Sequence, residues 1–349
     1  MVPLRQRVNF AKVLWILFGL VVFIFALQLA KGGADSATPF VRDTLDVSNP
    51  ANALGFGWIF AYIVLSGSPV AAAALAVLSS ETINEIETFA MIAGSRLGAS
   101  FVVLLLGGLY VLRGHERRAG LTIGLMALTV TASIYLPALA VGYVVLSSEL
   151  MSGLQFEFAV FDILNTAYDP LVNPVVDTLP GFAVFALGVA CIVGAFNLID
   201  RGLPEINLEE RGIENVSRLL YRPEVMFAIG LVVTLVSLSV SVSLGILVPL
   251  SARGLIRREN VIPYIMGCNI TTFIDTLVVA ALLQSPKGFT VVLVEMLSVA
   301  FVSVVILAFV FDHYERCVVG VVDWTLDRNR NFAIFLTVLF LVPLTLMVF

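Results

Sequence analysis

Long apolar runs, separated by short polar connections, make up most of this chain. Seven of them approach the roughly 20 residues that a helix needs to cross a membrane. They lie at 13–30, 90–112, 120–146, 180–199, 262–283, 289–311 and 331–348. Two further apolar stretches, 51–78 and 224–250, are broken near their middles by Ser, Gly or Pro. Because each half is then too short for a crossing, we predict that these two stretches form re-entrant hairpins.

The two broken stretches share one arrangement of polar residues. The first reads Leu-Ser-Gly-Ser-Pro over 65–69, followed by Gly-Ser-Arg-Leu-Gly over 94–98. The second reads Leu-Ser-Val-Ser over 238–241, followed by Gly-Cys-Asn-Ile-Thr-Thr over 267–272. The spacing from Ser66 to Gly94 equals that from Ser239 to Gly267. We call the number of residues from Ser66 to Ser239 the repeat offset. Duplicated interruptions of this kind are typical of the central binding site of a transporter.

These patterns predict an all-α polytopic membrane protein made of two repeats. The first repeat covers 1–150, with a hairpin at 51–80 and a broken helix at 88–112. The second covers 180–320, with a hairpin at 224–250 and a broken helix at 262–283. A connecting or interfacial segment at 151–179 and a C-terminal helix at 321–349 complete the chain. The polar stretch at 156–176, which contains two prolines, fits a buried or interfacial piece, and whether it crosses the membrane stays open.

Charge placement predicts that the second repeat is inverted relative to the first. With a cytoplasmic N-terminus and hairpins that return to their own side, 16 of the 20 Lys and Arg residues face the cytoplasm, as the positive-inside rule requires. Glutamates at 81, 85 and 87 follow the first hairpin, whereas arginines at 253, 257 and 258 follow the second. Corresponding connections of opposite charge belong on opposite sides. We therefore expect a multi-pass protein of the plasma or inner membrane.

Composition agrees with this class and argues against catalysis. Hydrophobic residues make up 59% of the chain and the mean hydropathy is +1.01, values typical of helical membrane proteins. The three cysteines are scattered, so we expect no transition-metal site. His115 and His313 are expected in connecting segments, and only Asp275 is clearly embedded, so neither an intramembrane serine protease nor an aspartyl protease is favoured. We expect no enzyme and no nucleic-acid partner.

The broken segments offer ligands for small ions. A helix that stops inside the membrane presents unpaired N–H groups at one end and unpaired carbonyls at the other. Uncharged donors and acceptors surround these ends: Ser66, Ser68, Ser239, Ser241, Ser243, Asn269, Thr271 and Thr272. Such a set suits a small oxyanion together with an alkali cation, whose preferred ligands are oxygens. Each single serine is also explained by helix packing or by a bond to its own backbone.

Arg96 and Asp275 are the embedded charges of this region. Arg96 takes the position that Asn269 holds in the second repeat, and Asp275 follows Asn269 by less than two turns of helix. An embedded charge needs a partner, so the two are predicted to form a structural pair; alternatively, Arg96 supplies the positive charge that a bound cation supplies elsewhere. For Glu295, which lies near the start of its apolar run, an interfacial position is a sufficient explanation.

At this point the residues resemble a known family. The stretch from Leu238 to Leu250, with Glu259, Pro263 and Gly-Cys-Asn-Ile-Thr-Thr at 267–272, resembles the type II sodium-dependent phosphate cotransporters. That family carries Gln-Ser-Ser-Ser in each of two inverted repeats, followed by a Val-Pro-Leu-like stretch and a Gly-x-Asn-Ile-Gly-Thr-like segment. The resemblance is specific at 224–283 and weak at 50–112. The chain departs from the pattern by having Leu65, Gly67, Arg96, Leu238 and Val240.

The resemblance implies sites for phosphate and for sodium. It assigns ligand roles in the second repeat to Ser239, Ser241, Asn269, Thr271 and Thr272, and in the first to Ser66, Ser68, Gly94 and Ser100. We assign substrate binding to Ser66, Ser68, Ser239, Ser241, Ser243 and Arg96. We assign cation binding to Asn269, Thr271, Thr272 and Ser100.

Taken together, the residues and the resemblance predict a secondary active transporter. It would move a small inorganic anion by alternating access at a midplane site, and phosphate in symport with Na+ is the favoured case. One alternative is a sodium-independent or differently coupled anion carrier in which Arg96 supplies the positive charge. Another is a non-transporting sensor on the same fold.

Overall fold

The computed structural model describes residues 10–44, 47–114, 116–148, 159–203, 222–252 and 256–348. All regular structure in these ranges is helical. The first half contains α1 Phe10–Pro39, α2 Pro50–Val64, α3 Ser68–Ser79, α4 Glu85–Ala99, α5 Phe101–Leu112 and α6 Arg117–Ser147. Between the halves, the described residues form helix α7 Ala159–Thr178.

The second half contains α8 Gly181–Gly202, α9 Pro223–Ser237, α10 Val240–Ala252, α11 Arg258–Thr271, α12 Phe273–Leu282, α13 Pro286–Val305, α14 Phe311–Asp327 and α15 Asn329–Leu346. Two π-helical turns occur, at Phe40–Thr44 after α1 and at Ile306–Val310 between α13 and α14.

Within the part of the chain that the structure describes, seven helical stretches are long and apolar enough to cross a membrane. They are Phe10–Asp43, Glu85–Leu112, Gly120–Ser147, Gly181–Gly202, Arg258–Leu282, Pro286–Asp327 and Asn329–Leu346. Each overlaps one of the seven runs predicted from the sequence, and the chain is an all-helical polytopic membrane protein. Helix α7, which contains Pro170 and Pro174, is not among these seven stretches.

Both interrupted stretches fold as two short helices joined at a leucine with left-handed backbone. We use "first hairpin" as a label for α2 with α3 and "second hairpin" for α9 with α10. Helix α2 ends at Leu65 (φ 57°, ψ 29°), and α9 ends at Leu238 (φ 50°, ψ 17°). A side chain with a Cβ adopts this conformation at a cost of about 1–2 kcal/mol, and the turn it makes stops the helix. The helices that follow, α3 and α10, have 12 and 13 residues, which is short for a membrane crossing.

Glycines set the packing of the hairpins against the neighbouring helices, and they do so in the same way in both halves. A Cβ on Gly57 of α2 would overlap the carbonyl oxygen of Met91 on α4; a Cβ on Gly230 of α9 would overlap that of Tyr264 on α11. Gly230 follows Gly57 by the repeat offset, and Tyr264 follows Met91 by the same offset. The glycines therefore allow equivalent backbones to approach closely in each half.

A second pair of glycines repeats this arrangement from the opposite side of the contact. Gly94 of α4 faces the carbonyl oxygen of Leu54 on α2, and Gly267 of α11 faces that of Phe227 on α9. Gly267 again follows Gly94 by the repeat offset, and Phe227 follows Leu54 by the same offset. In each half, the hairpin helix and the helix that follows it thus each contribute one glycine to their contact.

Helices α1 and α8 pack antiparallel along most of their length. Near the start of α1, Gly19 faces Ile199 at the end of α8. Towards the end of α1, Gly33 faces Gly181 and Phe185 at the start of α8. Small residues at both levels bring the two backbones into direct contact.

Polar contacts gather at two groups of helix ends. One group joins Glu81 to Lys287 (3.4 Å), Glu87 to Arg42 (two bonds of 3.0 Å) and Lys31 to the Leu283 carbonyl (3.2 Å). The other joins Arg258 to Asp323 (2.6 and 3.1 Å), Arg118 to the same Asp323 (3.4 Å) and Arg117 to Asn329. The first group contains residues predicted on the outer side, and the second contains arginines predicted on the cytoplasmic side.

Candidate ion-binding site

The breaks of the two hairpins line one small cavity of about 40 Å³. Seven of the predicted site residues are in its wall: Ser66, Ser68, Arg96, Ser100, Ser239, Asn269 and Thr272. The remaining lining residues are Gly67, Ala99, Tyr135, Phe196, Asp200, Leu238 and Val240. A water molecule needs about 10–15 Å³ by this measure, so the cavity has room for about three waters or a small ion.

Two helix N-termini reach this cavity. Helix α3 begins at Ser68 and α10 begins at Val240, both in the wall. The first N–H groups of a helix have no intrahelical partner and attract anions. At the second break the Ser239 hydroxyl accepts a bond from the Val242 N–H (3.3 Å), whereas the break at Gly67 has no side-chain cap. The first hairpin therefore leaves more of its helix end available to a ligand.

The cavity lies about halfway along two long crossings. Helix α4 begins at Glu85 and reaches Arg96 after about three turns, and α11 begins at Arg258 and reaches Asn269 after the same length. About three turns of α-helix rise about 16 Å, roughly half of the hydrocarbon layer, which is about 30 Å thick. Both helices are interrupted close to this level, at Ser100 and at Thr272.

The predicted pair of Arg96 with Asp275 is present. Arg96 Nη2 lies 3.2 Å from Asp275 Oδ1, and the two side chains are 5% and 7% exposed. Nη1 donates to Ser68 Oγ (3.2 Å) and Thr272 Oγ1 (3.3 Å), and Nη2 also donates to Thr276. The guanidinium lies over the ring of Phe273, 5.2 Å from its centroid. Arg96 is thus held by both halves of the protein.

Asp275 is satisfied from three directions. Besides Arg96, it accepts bonds from Ser68 Oγ and from Thr276 Oγ1 (2.8 Å). A buried carboxylate with a cationic partner and two hydroxyl donors meets the conditions under which an ion pair survives in a low dielectric. Ser68 contacts both members of the pair, so the first hairpin is tied to the charges at its tip.

Asn269 is held differently from its counterpart Arg96. Its side-chain amide exchanges bonds with Thr131 of α6, with Nδ2 to Oγ1 at 3.3 Å and Oγ1 to Oδ1 at 3.4 Å. Tyr135, one turn further along α6, donates to the Asn269 carbonyl (3.1 Å). The amide is neutral and its oxygen keeps an unused lone pair, which suits a cation ligand.

Three predicted site residues are not among the described residues that line the cavity. Ser243 lies within the second hairpin, where its hydroxyl bonds to Thr234 and Ser237 (2.9 Å each). The Thr271 hydroxyl donates to the carbonyl of Gly267, one turn earlier (3.4 Å). The side chain of Ser241 falls outside the described residues.

Two expectations about positions outside the site were wrong. Glu295 is not interfacial: it is 1% exposed, in the middle of α13. His313 is not in a connection: it lies on α14, exposed, with its Nε2 3.7 Å from Cys317 Sγ. His115 is outside the described residues.

Tyr135, Phe196 and Asp200 line the cavity without having been predicted to do so. A tyrosine inside an apolar span is a usable signal, because its hydroxyl needs a buried partner. Asp200 gives no such signal, since it ends its apolar run next to Arg201 and resembles an ordinary terminal charge. Only the fold brings the end of α8 to the hairpin tips.

The cavity has the size of a small ion. Organic ligands occupy pockets of roughly 300–1,000 Å³, far more than this cavity offers. A larger cavity of about 400 Å³ lies among α2, α3 and α8, but all of its lining side chains are apolar.

Comparisons with protein-family models, curated proteins and solved structures gave no match to this chain.

Proposed function

We propose that this chain is a secondary transporter of a small inorganic anion, with phosphate as the first candidate and Na+ as the coupling ion. The observation that carries the proposal is one polar cavity lined by both hairpin breaks, Arg96 and Asn269. It lies about halfway along two of the long apolar helical stretches. Interrupted helices whose ends meet near the midplane are the usual substrate site of secondary transporters. Alternating access would expose this cavity first to one side and then to the other.

An inverted repeat is the second part of the proposal. Two observations support it: helix ends and glycine contacts recur at the repeat offset, and the first helices of the two halves, α1 and α8, run antiparallel. If α1 and α8 are equivalent, antiparallel packing means that their halves have opposite orientation. Inversion would let the two hairpins approach the cavity from opposite faces.

The proposed orientation places the N-terminus in the cytoplasm. It is supported by the distribution of Lys and Arg over the whole chain, because the layout puts 16 of the 20 on the side of Arg117, Arg118 and Arg258. The other side has Lys31, Arg42 and Lys287. The positive-inside rule assigns the arginine-rich end to the cytoplasm. A plasma or inner membrane is the proposed location.

Charge balance supports coupling to a cation. Asp275 neutralises Arg96, so the formal charge left in the cavity wall is that of Asp200. A divalent or monovalent anion entering such a cavity gains little unless a cation enters with it. The side-chain oxygens of Asn269, Thr272 and Ser100 in the same wall are suitable ligands for Na+.

A carrier without sodium is the second candidate. One observation favours it: Arg96 lines the cavity and its Nε has no hydrogen-bond partner. An anion that displaced Asp275 from the guanidinium would find a charged, bidentate donor already in place. In that case transport would need no alkali cation.

Uptake of labelled phosphate into proteoliposomes separates these candidates. The purified protein is tested with an inward Na+ gradient and with K+ in its place. The proposal expects accumulation only with Na+. Equal uptake in both salts would favour the Arg96 carrier, and phosphate binding without flux in either salt would favour a sensor.

Paired serine variants test the site. We expect Ser239→Ala, in the cavity wall, to reduce uptake at least about tenfold, equivalent to about 1.4 kcal/mol, without loss of membrane insertion. Ser79→Ala is the matched control, because the Ser79 hydroxyl bonds only to the Leu75 carbonyl in its own helix. If both variants take up phosphate like the unmodified protein, the site assignment fails.

Cysteine labelling tests the orientation. Glu81 and Arg328, whose side chains are 83% and 71% exposed, are replaced singly by Cys in a Cys317→Ser background, since Cys317 is exposed. The proposal expects a membrane-impermeant maleimide added to intact cells to label position 81 but not position 328. Labelling of both from one side would contradict the layout.

A further inference from the structure

Glu295 is a buried carboxyl group with nothing to bond to. It lies on α13, it is 1% exposed, and both of its carboxyl oxygens are buried without a hydrogen-bond partner. Two other buried carboxylates, Asp275 and Glu87, each have an arginine partner. An ionised carboxylate in this position would be very unfavourable, whereas the neutral acid costs far less.

Arg96 carries the complementary unsatisfied group. Its Nε is also buried without a hydrogen-bond partner. Few side-chain atoms of the described residues are in this state, and they include this Nε and both Glu295 oxygens. Helix α13 packs directly against α4, which carries Arg96, and the two side chains interact electrostatically. A donor and two acceptors are thus unsatisfied on neighbouring helices.

The other helices around α13 define the charges that Glu295 meets. Tyr135 of α6 interacts with both Glu295 and Arg96, and Asp275 of α12 holds the arginine. Helix α11 contributes Tyr264 and Cys268, which interact with each other, and α3 has no ionisable side chain. Arg96 is therefore the cation that Glu295 and Asp275 compete for.

We propose that Glu295 is a proton-binding site coupled to the cavity through Arg96. With Arg96 held by Asp275, as here, Glu295 is a neutral acid. When the Arg96 side chain shifts so that its Nε also reaches Glu295 while Nη2 keeps its bond to Asp275, the O–H bond of Glu295 breaks to give a carboxylate and a proton released to water. Reversal takes up one proton. If the proposed transport is correct, which this coupling rests on, each such exchange links one proton to the movement of the anion.

A proton fits this position better than a metal cation. Sodium needs several converging oxygen ligands, and the hydrogen-bonding side chain nearest to Glu295 on α13, Ser298, donates its hydroxyl to the carbonyl of Val294. One proton, in contrast, neutralises the carboxylate without further ligands. Glu295 itself does not line the cavity, so it does not compete with the substrate for space.

Infrared titration of the protein in lipid nanodiscs tests the protonation without any transport. We expect a C=O stretching band of a protonated carboxyl at neutral pH that disappears in Glu295→Gln. Glu81→Gln is the control, because that carboxylate is exposed and should leave the band unchanged. Absence of the band, or its persistence in Glu295→Gln, would overturn the proposal.

Asp275→Asn tests the competition for Arg96. Because this variant frees the guanidinium, we expect the titration midpoint of the Glu295 band to fall by about 1–3 pH units, the usual effect of a nearby opposite charge. A midpoint that does not move would overturn the coupling. These two readings stand whether or not phosphate is the substrate.

Flux measurements complete the test. In proteoliposomes that contain a pH indicator, an anion gradient should drive a pH change with the unmodified protein and not with Glu295→Gln, which should still exchange anion. Equal pH changes in both would overturn the coupling. If neither moves any anion while the infrared predictions hold, the proposed transport fails and the Arg96-linked protonation stands.

Discussion

The two hairpin regions use the same backbone for different chemistry. Each has a left-handed leucine at its break and a glycine against a carbonyl of the following helix, at positions separated by the repeat offset. At corresponding positions, however, the first half has Arg96, which is tied to Asp275 of the other half, and the second has Asn269, which is tied to α6. Both residues are held from the opposite half, since α6 belongs to the first. The charge stands where the partner is the Asp275 carboxylate, and the amide stands where the partner is the Thr131 hydroxyl.

Removing the charge from the first half is expected to have the largest effect. Arg96→Asn makes the two halves alike but leaves Asp275 buried without its cation, so we expect the free energy of unfolding to fall by about 3–5 kcal/mol. The double variant Arg96→Asn/Asp275→Asn removes both charges and should lose clearly less. Chemical unfolding in detergent compares them, and equal losses in the two variants would show that the pair is not the cause.

The shared backbone contacts should be equally sensitive in both halves. Gly57→Ala and Gly230→Ala each place a methyl group into a backbone carbonyl, and we expect each to cost about 1–3 kcal/mol, as overpacking does. Gly108→Ala and Gly194→Ala meet open space and should be neutral or slightly stabilising. Melting temperatures of the four variants test this prediction. A large loss of stability in only one of the two halves would show that the two glycine contacts are not equivalent.

Internal hydrogen bonds distinguish the second hairpin from the first. The Ser243 hydroxyl bonds to those of Thr234 and Ser237. The corresponding residues of the first hairpin, one repeat offset earlier, are apolar: Ala61, Val64 and Val70. We expect Ser243→Ala to cost about 1 kcal/mol, because it removes two hydroxyl–hydroxyl bonds while Ser237 keeps its bond to the Ser239 carbonyl. Replacing all three residues by those of the first hairpin should restore most of the loss.

The readout for this hairpin is unfolding together with the apparent affinity for phosphate. Stability should change and affinity should not, because Ser243 does not line the cavity. An affinity change in Ser243→Ala without a stability change would return Ser243 to the binding site.

The breaks themselves should give the smallest effect. Leu65→Gly and Leu238→Gly remove the cost of a left-handed side chain, so we expect stabilisation of up to about 1 kcal/mol, reduced by the apolar surface that each leucine loses. Leu109→Gly, within α5 and similarly exposed, is the control and should destabilise by about 1 kcal/mol. Thermal unfolding measures all three, and destabilisation at both breaks would show that leucine packing outweighs the strain.

Much of the fold followed from residue patterns, because lipid imposes a length and a polarity on each crossing. The Arg96–Asp275 pair was predictable for the same reason, since an embedded charge must find a partner. Serine spacing was less informative: Ser239 lies at the break before α10 and Ser243 lies inside that helix, so helix periodicity does not show which serine of the run turns towards a cavity. Ser239 lines the cavity, whereas Ser243 bonds inside its own hairpin, and Thr271 and Thr272 diverge likewise.

Glu295 and Asp200 escaped prediction for a tertiary reason. Their distances from the ends of apolar runs are those of ordinary interfacial residues, and only the packing of α13 over α4 and α6, and of α8 beside the hairpin tips, decides their surroundings. A one-dimensional pattern records depth along a helix but not which neighbour covers each side.

The glycine contact between α1 and α8 has a mechanical consequence. The backbones of α1 and α8 approach closely at Gly19 and Gly33, and between these levels the rings of Phe23 and Phe196 pack edge to face, 5.0 Å apart, so the two helices interlock. Sliding would press main-chain atoms together, so these two helices should translate and tilt as one strut. If the proposed alternating access is correct, the cavity would open by movement of other helices against this pair.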